Sequence, residues 1–220
     1  MYTIIFTTLT DKHIHMKKGF FAIVLLVVCG FLLSFINTTG VGPELSLNAA
    51  APMADVKMKD VSGKEFSLND VKTPKGLLVI FSCNTCPYVK LSEAGIKEIT
   101  DNCVKQGLGC VIVNSNEAQR TEDDSFDEMV KYYQTQKLAC PYVVDQGSKL
   151  ADAFCDTRTP QCFLFNTKGL VYKGAIDDNV KDAAQAKEHF LKDAIDAVLK
   201  GSAPKTQESK SIGCTIKRVE

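Results

Sequence analysis

The stretch that most limits what this chain can become is Gly76-Leu77-Leu78-Val79-Ile80-Phe81-Ser82-Cys83-Asn84-Thr85-Cys86-Pro87-Tyr88-Val89. Leu77 to Phe81 form an unbroken apolar run, the pattern of a strand buried on both faces. Pro87 falls where the first turn of a following helix belongs, a turn that can spare an N–H. Strand, Cys-x-x-Cys and helix then put both thiols at the positive end of a helix dipole. That position stabilises a thiolate and lowers a cysteine pKa below its free value of about 8.5. The pattern describes a centre for thiol chemistry, with Cys83 and Cys86 as candidate catalytic residues.

The chain has 220 residues with 26 basic and 26 acidic side chains, a balance that gives no reason to expect nucleic acid. Gly19–Ile36 is an uncharged, mostly apolar run preceded by Lys17-Lys18, which reads as an export signal. At about 27 Å of helix it is marginal for a bilayer span. The reading therefore keeps two outcomes: cleavage between Asn37 and Pro52, or a membrane anchor through residues 19–36. In either case the domain lies outside the cytoplasm, in the periplasm or cell envelope. Residues 1–50 form the signal or anchor and linker, 51–201 one domain, and 202–220 a polar tail, loose as far as Ile212.

Within the domain, Val56–Lys59 and Glu65–Leu68 read as a hairpin about Ser62-Gly63-Lys64. A helix runs from Pro87 to about Gln106, with Gly107 as its C-cap, and Leu108–Val113 is the next buried strand. Ser125-Phe126-Asp127-Glu128 reads as a capping box before an apolar stripe of Phe126, Met129, Val130 and Tyr133. Tyr142–Asp145 is a short strand and Ser148–Phe154 a short helix. Gln161–Asn166 and Leu170–Ala175 flank a turn, and Asp182–Lys200 closes the domain as a helix. This order implies an α/β fold: a mostly parallel central sheet covered on both faces, with antiparallel strands added by the final hairpin.

Cys83-Asn84-Thr85-Cys86, followed later by Thr159-Pro160 and a strand–turn–strand–helix ending, resembles the thioredoxin superfamily. The lead-in hairpin and the inserted helix and short strand resemble its redoxin branch, over about Met53–Gly201. The resemblance implies a thioredoxin-like fold and an exported thiol–disulfide oxidoreductase. It also implies protein thiols or disulfides as substrates, an upstream redox donor, no cofactor and a monomeric state. Cys83 would be the exposed attacking thiolate with the lower pKa, and Cys86 the buried resolving thiol. Pro160 would be cis, presenting the Thr159 backbone for strand-like pairing with an extended substrate. Some features depart from the pattern. No Trp precedes Cys83, the motif dipeptide is Asn-Thr, and no acidic residue lies in Thr73–Ser82 to take the resolving thiol's proton. Cys155 stands where the family often has Gly.

The topology places Cys103, Cys110 and Cys140 away from the motif, as buried free thiols or with a structural bridge among them, and Cys162 in core packing. Cys155 is nearer the site. Gly213-Cys214-Thr215-Ile216-Lys217 resembles a tail found in some bacterial redoxins and has no role legible in the sequence. A metal site is not expected, because the domain carries one histidine, His189, and two thiolates do not complete a zinc site. The main rival is a peroxiredoxin-like thiol peroxidase, which uses Thr-x-x-Cys with a nearby arginine. Cys83 then stands at the threonine position, and Arg158 lies two residues from Pro160. A redox-inactive thioredoxin-like binding domain is the third reading.

Overall fold

A computed structural model describes residues 44–181 and 185–219. The apolar run 19–36 and the start of the helix expected from Asp182 lie outside the described residues. Among the described residues no helix is long and apolar enough to cross a membrane. In chain order the main elements are β1 (Met58–Lys59), β2 (Glu65–Phe66), α1 (Leu68–Val71), β3 (Leu77–Ser82), α2 (Pro87–Gln106), β4 (Gly109–Asn114) and α3 (Phe126–Gln136). There follow β5 (Tyr142–Val144), α4 (Lys149–Ala153), β6 (Arg158–Thr159), β7 (Gln161–Phe165), β8 (Leu170–Gly174), α5 (Phe190–Leu199) and β9 (Cys214–Thr215).

The apolar run before the Cys-x-x-Cys becomes β3, buried at every position and central in a sheet ordered β5-β4-β3-β7-β8. β3, β4 and β5 run parallel, while β7 pairs antiparallel with both β3 and β8. The alternation of side chains along β3 divides the core in two. Leu78 and Ile80 face α2 and α5, meeting Ile96, Ile99, Leu191 and Ile195. Leu77, Val79 and Phe81 face the opposite layer, with Leu68, Leu150 and Phe154. Phe154 makes edge-on contacts with Phe81, Phe163 and Phe165 at centroid distances of 5.0 to 5.9 Å. This is the mixed α/β sheet that the sequence implied.

Several local expectations are corrected. The capping box lies at Ser67, which accepts from the Asp70 N–H, so the expected return strand stops at Phe66 and a short helix starts. Ser125 occupies the N-cap of α3 without a side-chain bond to the helix. α5 begins only at Phe190, because the Asp178 carboxylate draws the Lys187 and Glu188 N–H groups into a loop. The tail expected to be loose is bonded along β8, an edge strand with backbone groups to spare. Lys173 N–H donates to the Gln207 carbonyl at 3.0 Å, and Ser209 N–H returns to the Lys173 carbonyl at 3.1 Å. Cys103, Cys110 and Cys140 are buried free thiols, and Cys110 shares hydrogen bonds with both Cys103 and Cys140.

Candidate active site

β3 ends at Ser82, and the chain turns through Cys83-Asn84-Thr85 into α2. Cys86 is the N-cap residue in extended conformation, and Pro87 takes the first helical position, where its missing N–H costs nothing. At the far end of α2, Gly107 adopts φ 71°, the left-handed cap that the sequence anticipated. The Thr159–Pro160 bond is cis. Thr159 lies against both sulfurs: its Oγ1 is 3.5 Å from Cys83 Sγ, and its carbonyl is 3.2 Å from Cys86 Sγ. The four candidate residues, Cys83, Cys86, Thr159 and Pro160, thus meet at one end of the sheet.

The two thiols are not arranged as the resemblance implied. Cys83 is 1% exposed and Cys86 3%, so neither stands open to solvent. The Cys83 thiol hydrogen-bonds to Cys86, which keeps the proton on Cys83, and burial pushes the Cys83 pKa up further. Cys86 is held well below the ordinary thiol range, first by that same bond and then, against burial, by the Cys214 thiol and the Val89 N–H. The two sulfurs share one hydrogen bond and titrate as a pair, so a single proton is held between them. Cys86 sits at the helix N-cap, where helix N–H groups add to what favours a thiolate in the pair.

A buried carboxylate that the sequence did not single out orders the motif. Asp124 accepts from the Asn84 backbone N–H, from Asn114 Nδ2 and from Asn116 Nδ2, each at 2.8 Å. Asn84 Nδ2 donates to the Asp123 carbonyl, and Tyr142 OH donates to Asn84 Oδ1 at 2.9 Å. The first residue of the motif dipeptide is thus tied to β4, β5 and the loop before α3. The signal was present as Asn84 in the motif and a pair of carboxylates before Ser125. Only the fold brings them together. The Asp124 charge also adds to what keeps Cys83 protonated.

The C-terminal tail closes over the centre. β9 pairs antiparallel with β6, with Thr159 opposite Cys214 and Arg158 opposite Thr215. The backbone edge that would receive an extended substrate is occupied by the chain's own strand. Cys214 is half-buried and packs against the cluster that contains Cys83 and Cys86. Cys155, at the position expected for glycine, adopts φ 53°, the conformation glycine favours. Beside Pro160 opens a groove of about 380 Å³, walled by Ser92, Ile176, Phe190, Ser209 and Ile212. Among the described residues no group of His, Cys, Asp or Glu is placed to hold a metal ion.

A family model described as "AhpC/TSA family" matches residues 49–173. The chain belongs to the AhpC/TSA family. Its relatives include the thiol-disulfide oxidoreductase ResA of Bacillus subtilis, 25% identical over 151 residues, which span 69% of this chain and 79% of that protein. A crystal structure of a hypothetical protein from Sinorhizobium meliloti aligns with TM-score 0.73 and 31% identity, covering 80% of this chain and 97% of that one. An uncharacterized conserved protein from Geobacillus kaustophilus aligns with TM-score 0.73 and 28% identity, over 79% and 93%. The fold is thioredoxin-like, and the chain is a redoxin of that superfamily.

Proposed function

We propose that this chain is an exported thiol–disulfide oxidoreductase that exchanges disulfides with protein substrates through Cys83 and Cys86. The observation that carries the reading is the hydrogen bond shared by the two sulfurs, with Thr159 of the cis Thr159–Pro160 bond against both. Similarity to a protein named thiol-disulfide oxidoreductase supports the general activity. In the reducing direction the Cys86 thiolate attacks a substrate sulfur, and the first substrate thiolate leaves. Cys83 then passes its proton to the departing second thiolate and closes on Cys86 Sγ, completing a two-electron exchange. Oxidation of a substrate runs the same steps backwards. Residues 1–50 serve export or anchoring, 51–201 carry the redoxin domain, and 202–219 belong functionally to the site.

Equilibration of the purified protein with glutathione buffers, followed by alkylation and mass spectrometry, tests this directly. Cys83 and Cys86 should vanish from alkylation together in a single two-electron transition. Independent loss of either thiol would overturn the pair. For export, residues 1–60 fused to a reporter active only outside the cytoplasm should give signal, and a silent, expressed fusion would contradict it. The place of Cys86 at the helix N-cap, the Thr-x-x-Cys-like position, is what favours a thiol peroxidase. Against it, Arg120, Arg158 and Arg218 bond to Asn114 and Asp124, to Gly213, and to Asp152 and Asp156, respectively.

A further inference from the structure

Both sulfurs of the pair are buried, whereas a third, more exposed cysteine touches Cys86 from outside. Cys83 and Cys86 are 1% and 3% exposed, while Cys214 is half-buried and hydrogen-bonded to Cys86. Its position is built, not incidental. Thr159 and Cys214 are register partners, and Ile216 N–H continues the pairing to the Thr157 carbonyl at 3.1 Å. Beyond Cys214, Ile216 is buried in the core, and Lys217 N–H donates to Asn116 Oδ1 at 2.9 Å. Arg218 reaches Asp152 and the Asp156 carbonyl, both at 2.7 Å. Before Cys214, Ser209 Oγ accepts the Ala175 N–H at 2.9 Å. Gly213 passes so close that an added Cβ would lie 2.2 Å from the Thr159 carbonyl oxygen, so only glycine allows this approach. The tail is held on both sides of Cys214, which keeps its sulfur against Cys86.

We propose that Cys214 is a third redox cysteine, and that a Cys86–Cys214 disulfide is the form in which the buried pair meets a partner's thiols. This rests on the reading of Cys83 and Cys86 as the exchanging couple. Starting from the Cys83–Cys86 disulfide, Cys214 gives up its proton and its thiolate attacks Cys86 Sγ. The Cys86–Cys214 bond forms, the Cys83–Cys86 bond breaks, and Cys83 leaves as a thiolate that takes up a proton. A partner thiolate then attacks the outward Cys214 Sγ, expelling Cys86. Cys86 is the better leaving group, since its thiolate is stabilised at the helix N-cap while burial and the bond to Cys86 push the Cys214 thiol up to about 11. The partner's second thiolate attacks its own sulfur in the mixed disulfide and releases Cys214. One disulfide is reduced to the Cys83 and Cys86 thiols, one partner dithiol is oxidised, and Cys214 is regenerated. The partner class is a protein with two neighbouring thiols, or in reverse a protein disulfide.

The test uses the full chain and two readouts. Oxidation of Cys83→Ser with oxidised glutathione should give a Cys86–Cys214 disulfide in the peptide map. A Cys86–glutathione adduct with no bond to Cys214 would overturn the relay. Cys214→Ser and Cys214→Ala should each lower kcat/KM toward insulin, used as the protein disulfide probe, by about tenfold or more through loss of a positioned nucleophile. Their Cys83–Cys86 disulfide should still form with glutathione in a single two-electron transition, which a collapsed site would not allow. Unchanged insulin rates in both variants would refute the role of Cys214 while leaving the couple intact. Full insulin rates in Cys83→Ser and Cys86→Ser would instead refute the couple itself.

Discussion

Asp124 shows how one residue sets the chemistry of its neighbours. Three N–H donors converge on its carboxylate, which is fully buried. Asp124→Asn turns an acceptor into a donor against them and should cost about 2–4 kcal/mol in a urea midpoint measurement, because a buried donor is left unpaired. It should also lower the pH at which Cys83 becomes alkylatable, since a negative charge is removed. A shift under about 0.5 kcal/mol, the size of an ordinary surface substitution, would show that the network does not hold the motif. Asp156, under Arg218, behaves differently: burial pushes its pKa up to about 7. Its folded form therefore holds a proton that the unfolded chain releases near pH 4. Between about pH 4 and pH 7 the native state binds more protons, so stability should fall as pH rises, by up to about 4 kcal/mol. Asp156→Asn should flatten that slope in thermal melts across the window, and an unchanged slope would contradict the assignment.

At the scale of elements, β3 and α2 were legible because both rest on local chemistry. The apolar run gives a strand without reference to anything distant, and Pro87 and Gly107 mark the helix ends by backbone preference. The last helix was overextended because a side chain far from its pattern, the Asp178 carboxylate, captures the amides that would have begun it. β9 was invisible for a related reason. Two residues pair with β6 across a gap in sequence that no periodicity reports. Its docking predicts a clear effect for Gly213→Ala. The added methyl would collide with the Thr159 carbonyl and push the strand away. Alkylation of Cys83 and Cys86 should then speed up about tenfold, equivalent to about 1.4 kcal/mol of lost docking. Far-ultraviolet circular dichroism should stay that of wild type. Equal alkylation rates would mean that the strand does not guard the thiols.

For the whole molecule, the sheet brings the end of β3, the start of β7 and the loop after β4 to one edge, and the tail crosses that edge. The sequence located the motif and the cis-proline, since both are short and self-contained. It could not report how the two thiols share a proton, because that depends on a hydrogen bond between them and on Cys214 arriving from 128 residues beyond Cys86. The central claim is exchange through Cys83 and Cys86. Its most direct test is a side-by-side measurement of insulin reduction and peroxide consumption by the wild type, Cys83→Ser and Cys86→Ser. Insulin reduction should fall in both variants, to the level of an ordinary free thiol in Cys86→Ser, with peroxide consumption slow in all three. Peroxide turnover at an enzymatic rate in Cys83→Ser, with none in Cys86→Ser, would contradict the account and make Cys86 the centre of a peroxidase.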